Sequence, residues 1–242
     1  MTSIYRNIKK SISEGEKLLA VLIDPDRFSI KNTKKFIGKV NASITTHIFV
    51  GGSTVDENAT EVLVSEIKKH STLPIILFPG DHNQITDQAD ALLFLSLISG
   101  RNPDYLIGQH VDSISKLKNT TMEIISTGYI LVESGKETAV EIVTNTKPMP
   151  RNNIQHIVDT SIAGVFLGMK LIYLEAGSGA LKALTPSIIH AVRKSIDIPL
   201  IVGGGIRNKA QLEEAYQAGA DVVVIGTAFE EDESFFEELR RE

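Results

Sequence analysis

The sequence contains no cysteine among its 242 residues, which excludes disulfides and thiolate-ligated metal sites. That absence suits a reducing compartment such as the cytosol. No apolar run approaches the ~18 residues of a membrane span, and the N-terminal stretch carries no apolar h-region of a secretory signal. An excess of positive charge is also missing, since 25 basic residues face 30 acidic ones for a net charge of −5. Basic residues cluster as pairs such as Lys9-Lys10, Lys34-Lys35 and Lys68-Lys69, which read as solvated helix faces. No nucleic-acid partner is expected from such a chain. Linkers and low-complexity stretches are lacking. The six histidines are scattered without ligand spacing, and no Ser-His-Asp order stands out. His110, His156 and His190 fall in helical stretches, where surface or satisfied positions are expected.

What the sequence does have is alternation. Short, unbroken, β-branched runs of the kind buried on both faces of a parallel sheet alternate with stretches of helical spacing. Strands are expected at Leu18–Ile23, Thr46–Val50, Leu73–Phe78, Ala91–Leu97, Met122–Val132, Leu171–Glu175, Leu200–Val202 and Val222–Ile225. Helices are expected over 3–14, 29–40 (capped by Ser29), 55–70, 104–116, 152–168, 186–195 (capped by Thr185) and 209–218, with a short helical turn over 85–88 and a charged closing helix. Gly128 suggests a bend or bulge in the fifth strand. Residues 133–151 have no clean period and read as a long functional loop. The acidic end from Glu230 reads as a solvated helix face. Eight alternations in a chain close to the ~250 residues of such folds predict an α/β protein, one (β/α)₈ barrel over residues 1–242.

Chemistry is expected where the strands end. Ala176-Gly177-Ser178-Gly179, Gly203-Gly204-Gly205 and Gly226-Thr227 follow strands six, seven and eight. Glycines there let backbone amides approach an anion, and the last strands of a barrel are a common place for a phosphate cradle. The alternative is tight barrel closure with no ligand. Tyr173 and Glu175 are two positions apart on strand six and so share a face. Glu175 is a candidate general base or hydroxyl anchor, against the alternative of a hydrogen-bonded strand end. Asp24-Pro25-Asp26-Arg27 ends strand one and Gly51-Gly52-Ser53-Thr54 ends strand two. The Asp24 carboxylate and the Ser53 hydroxyl suit a Mg²⁺ that is shared with a diphosphate, because Mg²⁺ seldom uses a full protein cage. Read blandly, the same residues form an Asx-turn and a helix cap.

Together, Leu22-Ile23-Asp24-Pro25-Asp26, Phe49-Val50-Gly51-Gly52-Ser53, Tyr173-Leu174-Glu175-Ala176-Gly177-Ser178-Gly179, Val202-Gly203-Gly204-Gly205-Ile206-Arg207 and Gly226-Thr227-Ala228 resemble the geranylgeranylglyceryl phosphate synthase family, which includes bacterial heptaprenylglyceryl phosphate synthases. The resemblance runs nearly the whole chain in order. It implies a (β/α)₈ barrel, and transfer of a prenyl chain from a prenyl diphosphate to the 3-hydroxyl of sn-glycerol 1-phosphate with Mg²⁺ and release of diphosphate. It implies Mg²⁺ at Asp24 and Ser53, glycerol 1-phosphate at Tyr173, Leu174, Glu175, Ala176, Gly177, Ser178, Gly179, Gly204, Gly205, Gly226 and Thr227, and catalytic roles for Glu175 and Tyr173. Arg27 stands where the family pattern leads us to expect lysine; the charge for a diphosphate contact is kept, but the geometry differs. The stretches 96–105 and 145–148 resemble the larger archaeal and bacterial subgroup, which implies a C20 donor and a homo-oligomer. A cytoplasmic enzyme in transient contact with a membrane is the corresponding expectation. Phe78, Leu93, Phe94 and Leu97 are candidates to line a prenyl groove, or are plain core. The competing readings are a heptaprenylglyceryl phosphate synthase with a longer donor, another phosphate-handling barrel enzyme, such as a sugar-phosphate isomerase, and a non-catalytic phosphometabolite sensor.

Overall fold

The structure is a computed structural model that describes residues 3–56 and 58–241. Eight parallel strands pair in chain order: β1 (Leu18–Ile23), β2 (His47–Val50), β3 (Ile75–Leu77), β4 (Ala91–Leu97), β5 (Glu123–Leu131), β6 (Leu171–Glu175), β7 (Leu200–Gly203) and β8 (Val222–Ile225). Pairing of Leu18–Val21 with Val222–Ile225 closes the barrel. Every residue of β2, β6, β7 and β8 is buried, which is why these runs are apolar without alternation. The pleat nevertheless sorts them into two shells. Ala20, Phe49, Leu93, Tyr173 and Val224 belong to the barrel interior. Val21, Ile48, Leu92, Leu174 and Val223 belong to the layer under the helices.

The helices are α1 (Ile4–Ser13), α2 (Thr33–Ala42), α3 (Ala59–Lys68), α4 (Gln109–Leu117), α5 (Ala139–Thr144), α6 (Ile154–Phe166), α7 (Pro186–Ser195), α8 (Lys209–Ala218), α9 (Thr227–Glu231) and α10 (Phe235–Glu238). The Ser3 hydroxyl caps α1 by accepting from the Arg6 amide at 3.1 Å, and donates to Glu123 Oε1 at 2.7 Å. The apolar stripe Ile4, Ile8 and Ile12 thereby joins the interior shell beside the strand starts Leu18, Leu171 and Val222. This helix closes the end of the barrel opposite the glycine loops. Ser29 makes no side-chain cap and leads only into a 3₁₀ turn at Ile30–Asn32. Thr185 precedes α7 as expected, but its hydroxyl meets Ser187 at 2.9 Å instead of capping.

Four further expectations are corrected. First, the 3₁₀ turn after β3 lies at His82–Gln84, not at 85–88, and among the described residues no α-helix separates β3 from β4. Second, residues 133–151 are not structureless. Thr138 and Glu141 form a reciprocal capping box at the start of α5, with Thr138 N donating to Glu141 Oε1 at 2.9 Å. Third, Gly128 is no bulge, because it pairs in unbroken register with Ser96 and Ile172. A Cβ there would lie 2.8 Å from Ile98 Cδ1 and 3.0 Å from Ile172 Cδ1; one on Gly164 of α6 would lie 2.9 Å from the same two atoms. The two glycines give those isoleucines room between β5 and α6. Fourth, the acidic end is more than a solvated face. Phe235, Phe236 and Leu239 are buried, and Phe236 stacks on Phe229 at 4.0 Å.

Candidate active site

The glycine loops after β6, β7 and β8 converge at one mouth of the barrel, around a cavity of about 1070 Å³. The Ser178 and Thr227 hydroxyls lie 3.4 Å apart, joining the loop after β6 to the start of α9. Gly177, Gly179, Gly204 and Gly205 all have positive φ, from +65° to +99°, a region that side chains enter at a cost of roughly 1–2 kcal/mol. Among the described residues, no protein acceptor takes the amides of Ser178, Gly179, Gly204, Gly205, Gly226 or Thr227. Unpaired amides at the converging ends of three strands form an anion-binding concavity. Tyr173, Glu175, Gly177, Ser178, Gly179, Gly204, Gly205, Gly226 and Thr227 all line it. Leu174 and Ala176 do not: the pleat turns them to the helix-facing shell, where both are fully buried.

Glu175 is the buried charge of this mouth, at 6 % exposure. Its Oε1 accepts from the Gly177 amide at 2.6 Å. Burial pushes its carboxyl up to about 7, against the opposing pull of the Gly177 amide, the Tyr173 hydroxyl and the Ala176 amide. The carboxylate is therefore basic enough to accept a proton near neutral pH. The Tyr173 hydroxyl, on the same face, is buried and near enough to Glu175 to lower its pKa, but has no partner at hydrogen-bond geometry among the described residues. A Cβ on Gly203 would lie 2.5 Å from that hydroxyl and 2.8 Å from Glu175 Oε2, so glycine is required beneath the pair. Burial first, and then Glu175, hold the Tyr173 and Tyr129 hydroxyls well above their ordinary range. These two keep their protons near neutral pH, and Glu175 is the group of the three whose pKa suits it to accept one.

Across the mouth lie Asp24 and Ser53. The Asp24 carboxylate folds back into an Asx turn, accepting from the Asp26 amide at 3.1 Å. Burial raises its pKa, and the hydrogen bond from Asp26 and the Arg27 charge offset this in part. Arg27 stands off, with Nε 3.6 Å from Asp24 Oδ2 and an outer nitrogen 3.9 Å from Glu230 Oε2. Asp24 is packed against the end of β2: a Cβ on Gly52 would be 2.7 Å from Asp24 Oδ1. Gly52 is itself pinned by Gln84, which accepts from its amide at 3.2 Å and donates to its carbonyl at 2.8 Å. Among the described residues no group of three or more His, Cys, Asp or Glu could hold a metal, and Ser53 lines the same mouth as Asp24. One desolvated carboxylate and one hydroxyl fit a Mg²⁺ that draws its other ligands from a diphosphate and water; they do not fit a metal held by protein alone.

A second cavity, an apolar groove of about 790 Å³, adjoins the mouth and shares Gly52, Ser53, Phe78, Tyr129 and Val140 with it. Its origin is the mismatch of two strands. Three-residue β3 pairs with seven-residue β4 only through Ile76↔Ala91 and Leu77↔Leu92, which leaves Leu93–Leu97 without a β3 neighbour. With no α-helix between the two strands among the described residues, that edge stays open. Phe78, Leu93, Phe94 and Leu97 all line the groove, together with Tyr105 and His110 on one side and Val140 and Val143 of α5 on the other. His110 is neither a surface nor a satisfied residue. It is buried with Nδ1 unpartnered, and burial lowers its pKa. Its ring meets Phe94 edge-on at 4.3 Å. His156 and His190 are exposed as expected.

Arg207 stands in the glycine motif after β7 with no role assigned to it, and sequence reasoning missed Gln84, Tyr129 and Glu230, all of which lie in or against the mouth. No local signal marks them. The Thr138…Glu141 spacing, by contrast, is a capping-box signal that was available.

The profile of the PcrB family matches residues 11–241. A geranylgeranylglyceryl phosphate synthase of Flavobacterium johnsoniae is 51 % identical over 237 residues, covering 98 % of each chain. One from Zunongwangia profunda is 53 % identical over 233 residues, 96 % of this chain and 99 % of that one. Among solved structures, the (S)-3-O-geranylgeranylglyceryl phosphate synthase of Thermoplasma acidophilum, in complex with its substrate sn-glycerol-1-phosphate, superposes with a TM-score of 0.92 at 30 % identity, covering 99 % of this chain and 96 % of that one. Barrels of other activities, such as an N-acetylmannosamine-6-phosphate 2-epimerase of Clostridium perfringens, share only the fold, with a TM-score of 0.56 at 14 % identity and coverage of 87 % and 86 %. With full-length relatives at 51 and 53 % identity, the chain belongs to the PcrB family and groups there with the geranylgeranylglyceryl phosphate synthases.

Proposed function

We propose that the protein is a prenyltransferase that joins a geranylgeranyl chain from geranylgeranyl diphosphate to the 3-hydroxyl of sn-glycerol 1-phosphate, releasing diphosphate. One observation carries the reading. A cradle of unpaired amides opens through a single cavity, past the buried base Glu175, onto an apolar groove. An anionic acceptor and an apolar donor suit the two ends.

In this reading the amides of Ser178, Gly179, Gly204, Gly205, Gly226 and Thr227 hold the acceptor phosphate. Glu175 takes the proton of the 3-hydroxyl as its oxygen bonds to the allylic carbon of the donor. The protonated Tyr173 hydroxyl donates to oxygen and keeps Glu175 aligned. Asp24 and Ser53 would hold Mg²⁺, which supplies charge neutralisation for the departing diphosphate. Arg27 adds a guanidinium on the same side. The groove between β4 and α5 takes the prenyl chain, and fixing both reactants supplies most of the rate advantage through orientation. The exposed stripe Ile107, Val111 and Ile114, on the segment whose Tyr105 and His110 line the groove, supports contact with a lipid surface or with a second copy in a homo-oligomer. No helix among the described residues is long and apolar enough to cross a membrane.

The test is to incubate the protein and Mg²⁺ with labelled sn-glycerol 1-phosphate and prenyl diphosphates of several lengths, and to identify the product. A geranylgeranyl ether formed in preference to the others is expected. Exclusive use of a longer donor would overturn the C20 assignment, and binding of the acceptor with no ether from any donor would overturn the enzyme.

A further inference from the structure

Helix α9 begins at the acceptor cradle and ends with two successive carboxylates, each facing an arginine from a different strand end. Glu231 binds Arg207, from the loop after β7, at 2.7 Å, a made ion pair. Glu230 faces Arg27, from the loop after β1, at 3.9 Å, while Asp24 holds the other side of the same guanidinium at 3.6 Å. Neither distance is a hydrogen bond. Arg27 is thus suspended between two carboxylates and bonded to neither, and its side chain is 54 % exposed. Both arginines, Asp24 and Glu230 line the mouth cavity.

A negative charge at this place is unfavourable for an anionic ligand. The Glu230 side chain is 26 % exposed, so the mouth screens it only in part. Its carboxylate does not form the cradle, which is made of backbone amides, and among the described residues it joins no group of three or more possible metal ligands. Among the described residues, the one charged partner in contact with it is Arg27. A suspended guanidinium between carboxylates is easily transferred to a stronger, bidentate anion, because loose ion pairs at an exposed position contribute little.

We propose that Glu230 is a positioning residue that competes with diphosphate for Arg27. When the donor binds, Arg27 leaves Asp24 and Glu230 for the diphosphate oxygens. After transfer, Glu230 draws Arg27 back and repels the product, so that diphosphate leaves. The inference rests on the reading above that the donor diphosphate lies on the Asp24 side of the mouth.

The sign of one substitution tests it. Inorganic diphosphate with Mg²⁺ is titrated into the full-length protein by calorimetry. Glu230→Gln removes the competitor and is expected to tighten diphosphate about fivefold, the scale of one exposed ion pair. In product inhibition the same variant should show a correspondingly lower inhibition constant for diphosphate. Arg27→Gln should weaken diphosphate, and in that background Glu230→Gln should gain markedly less, since simple repulsion remains but competition is gone. Glu231→Gln, whose arginine is already bonded, should leave the affinity unchanged. Weaker or unchanged diphosphate binding in a folded Glu230→Gln variant would overturn the proposal, as would an equal gain with and without Arg27. If Arg27→Gln and Asp24→Asn both leave diphosphate affinity at the wild-type value, the placement of the donor fails instead.

Discussion

Glu175 and Gly177 are joined by a 2.6 Å hydrogen bond from the Gly177 amide to the Glu175 carboxylate, so the proposed base and the proposed phosphate loop are held by the same two residues. The turn that places Ser178 and Gly179 at the cradle also fixes the direction of the carboxylate. The glycine at Gly204 is part of this arrangement, because a Cβ there would collide with Glu175 Oε1 and lie 2.7 Å from the Gly177 amide nitrogen.

That geometry makes Glu175 a cost to the fold. Its carboxyl titrates near 7 when folded and near 4.5 when unfolded, so the folded protein holds more protons between those values. Stability should be complete below about pH 4.5, as far as this group is concerned, and should fall as pH rises through about 7. The full effect is on the order of 3 kcal/mol. Glu175→Gln should remove the slope and melt higher than wild type at pH 8.5, with little difference at pH 4.5. Equal melting curves at both pH values would show that the carboxylate is not penalised by burial.

The donor and acceptor halves should separate by mutation. Asp24→Asn is expected to lower turnover far more than glycerol 1-phosphate affinity, because Asp24 lies against Gly52 and Arg27 on the proposed donor side and supplies none of the cradle amides. Calorimetry with the acceptor alone is the check, and a loss of acceptor affinity as large as the loss of turnover would contradict the division.

The glycines of the cradle differ in what they can tell. Gly204 combines φ +85° with a collision on Glu175, so Gly204→Val should disrupt base and cradle together. Gly226 has φ −119°, and its Cβ would meet Leu22 at 3.3 Å, a contact that small shifts relieve. Gly226→Val should therefore stay folded by circular dichroism and lose acceptor binding at least about tenfold. A folded variant that binds glycerol 1-phosphate like wild type would move the phosphate elsewhere.

Gln84 offers a test of the donor side that leaves all proposed ligands in place. It is 2 % exposed and satisfies both backbone groups of Gly52. Gln84→Leu keeps its bulk but strands the Gly52 amide and carbonyl, at a cost of about 1–3 kcal/mol per unsatisfied group. Donor KM should rise and the protein should melt lower, while acceptor affinity holds. Wild-type stability would mean that water replaces the lost bonds.

Legibility of this site in the sequence followed distance along the chain. Glu175 with Gly177, and Asp24 with Asp26, are two residues apart, and strand pleat and turn chemistry predict their relations directly. The apolar runs of β1 to β8 were equally plain, since burial on both faces leaves one composition. Contacts between distant segments were not legible. Gln84 on Gly52 and Glu230 on Arg27 involve residues with no local signature. Gly128 looked like a bulge because its reason, the isoleucines it shares with Gly164, lies across the space between strand and helix. The groove arises from a helix that is missing between β3 and β4, and strand and turn signals on either side do not announce a missing element.

The most direct test of the account is the rate of the chemical step when Glu175 cannot accept a proton. In a rapid-quench single turnover at saturating donor and acceptor, wild type should slow on the acid side as Glu175, which burial pushes up to about 7, becomes protonated. Bound phosphate raises that midpoint and Mg²⁺ lowers it. Glu175→Gln keeps the size of the side chain and should reduce the single-turnover rate by ~10²–10⁴-fold, with acceptor affinity nearly unchanged and the acid limb gone. A glutamine variant that forms ether within a few-fold of the wild-type rate would contradict the assignment, and would leave Glu175 as a residue that positions the acceptor while water or phosphate takes the proton.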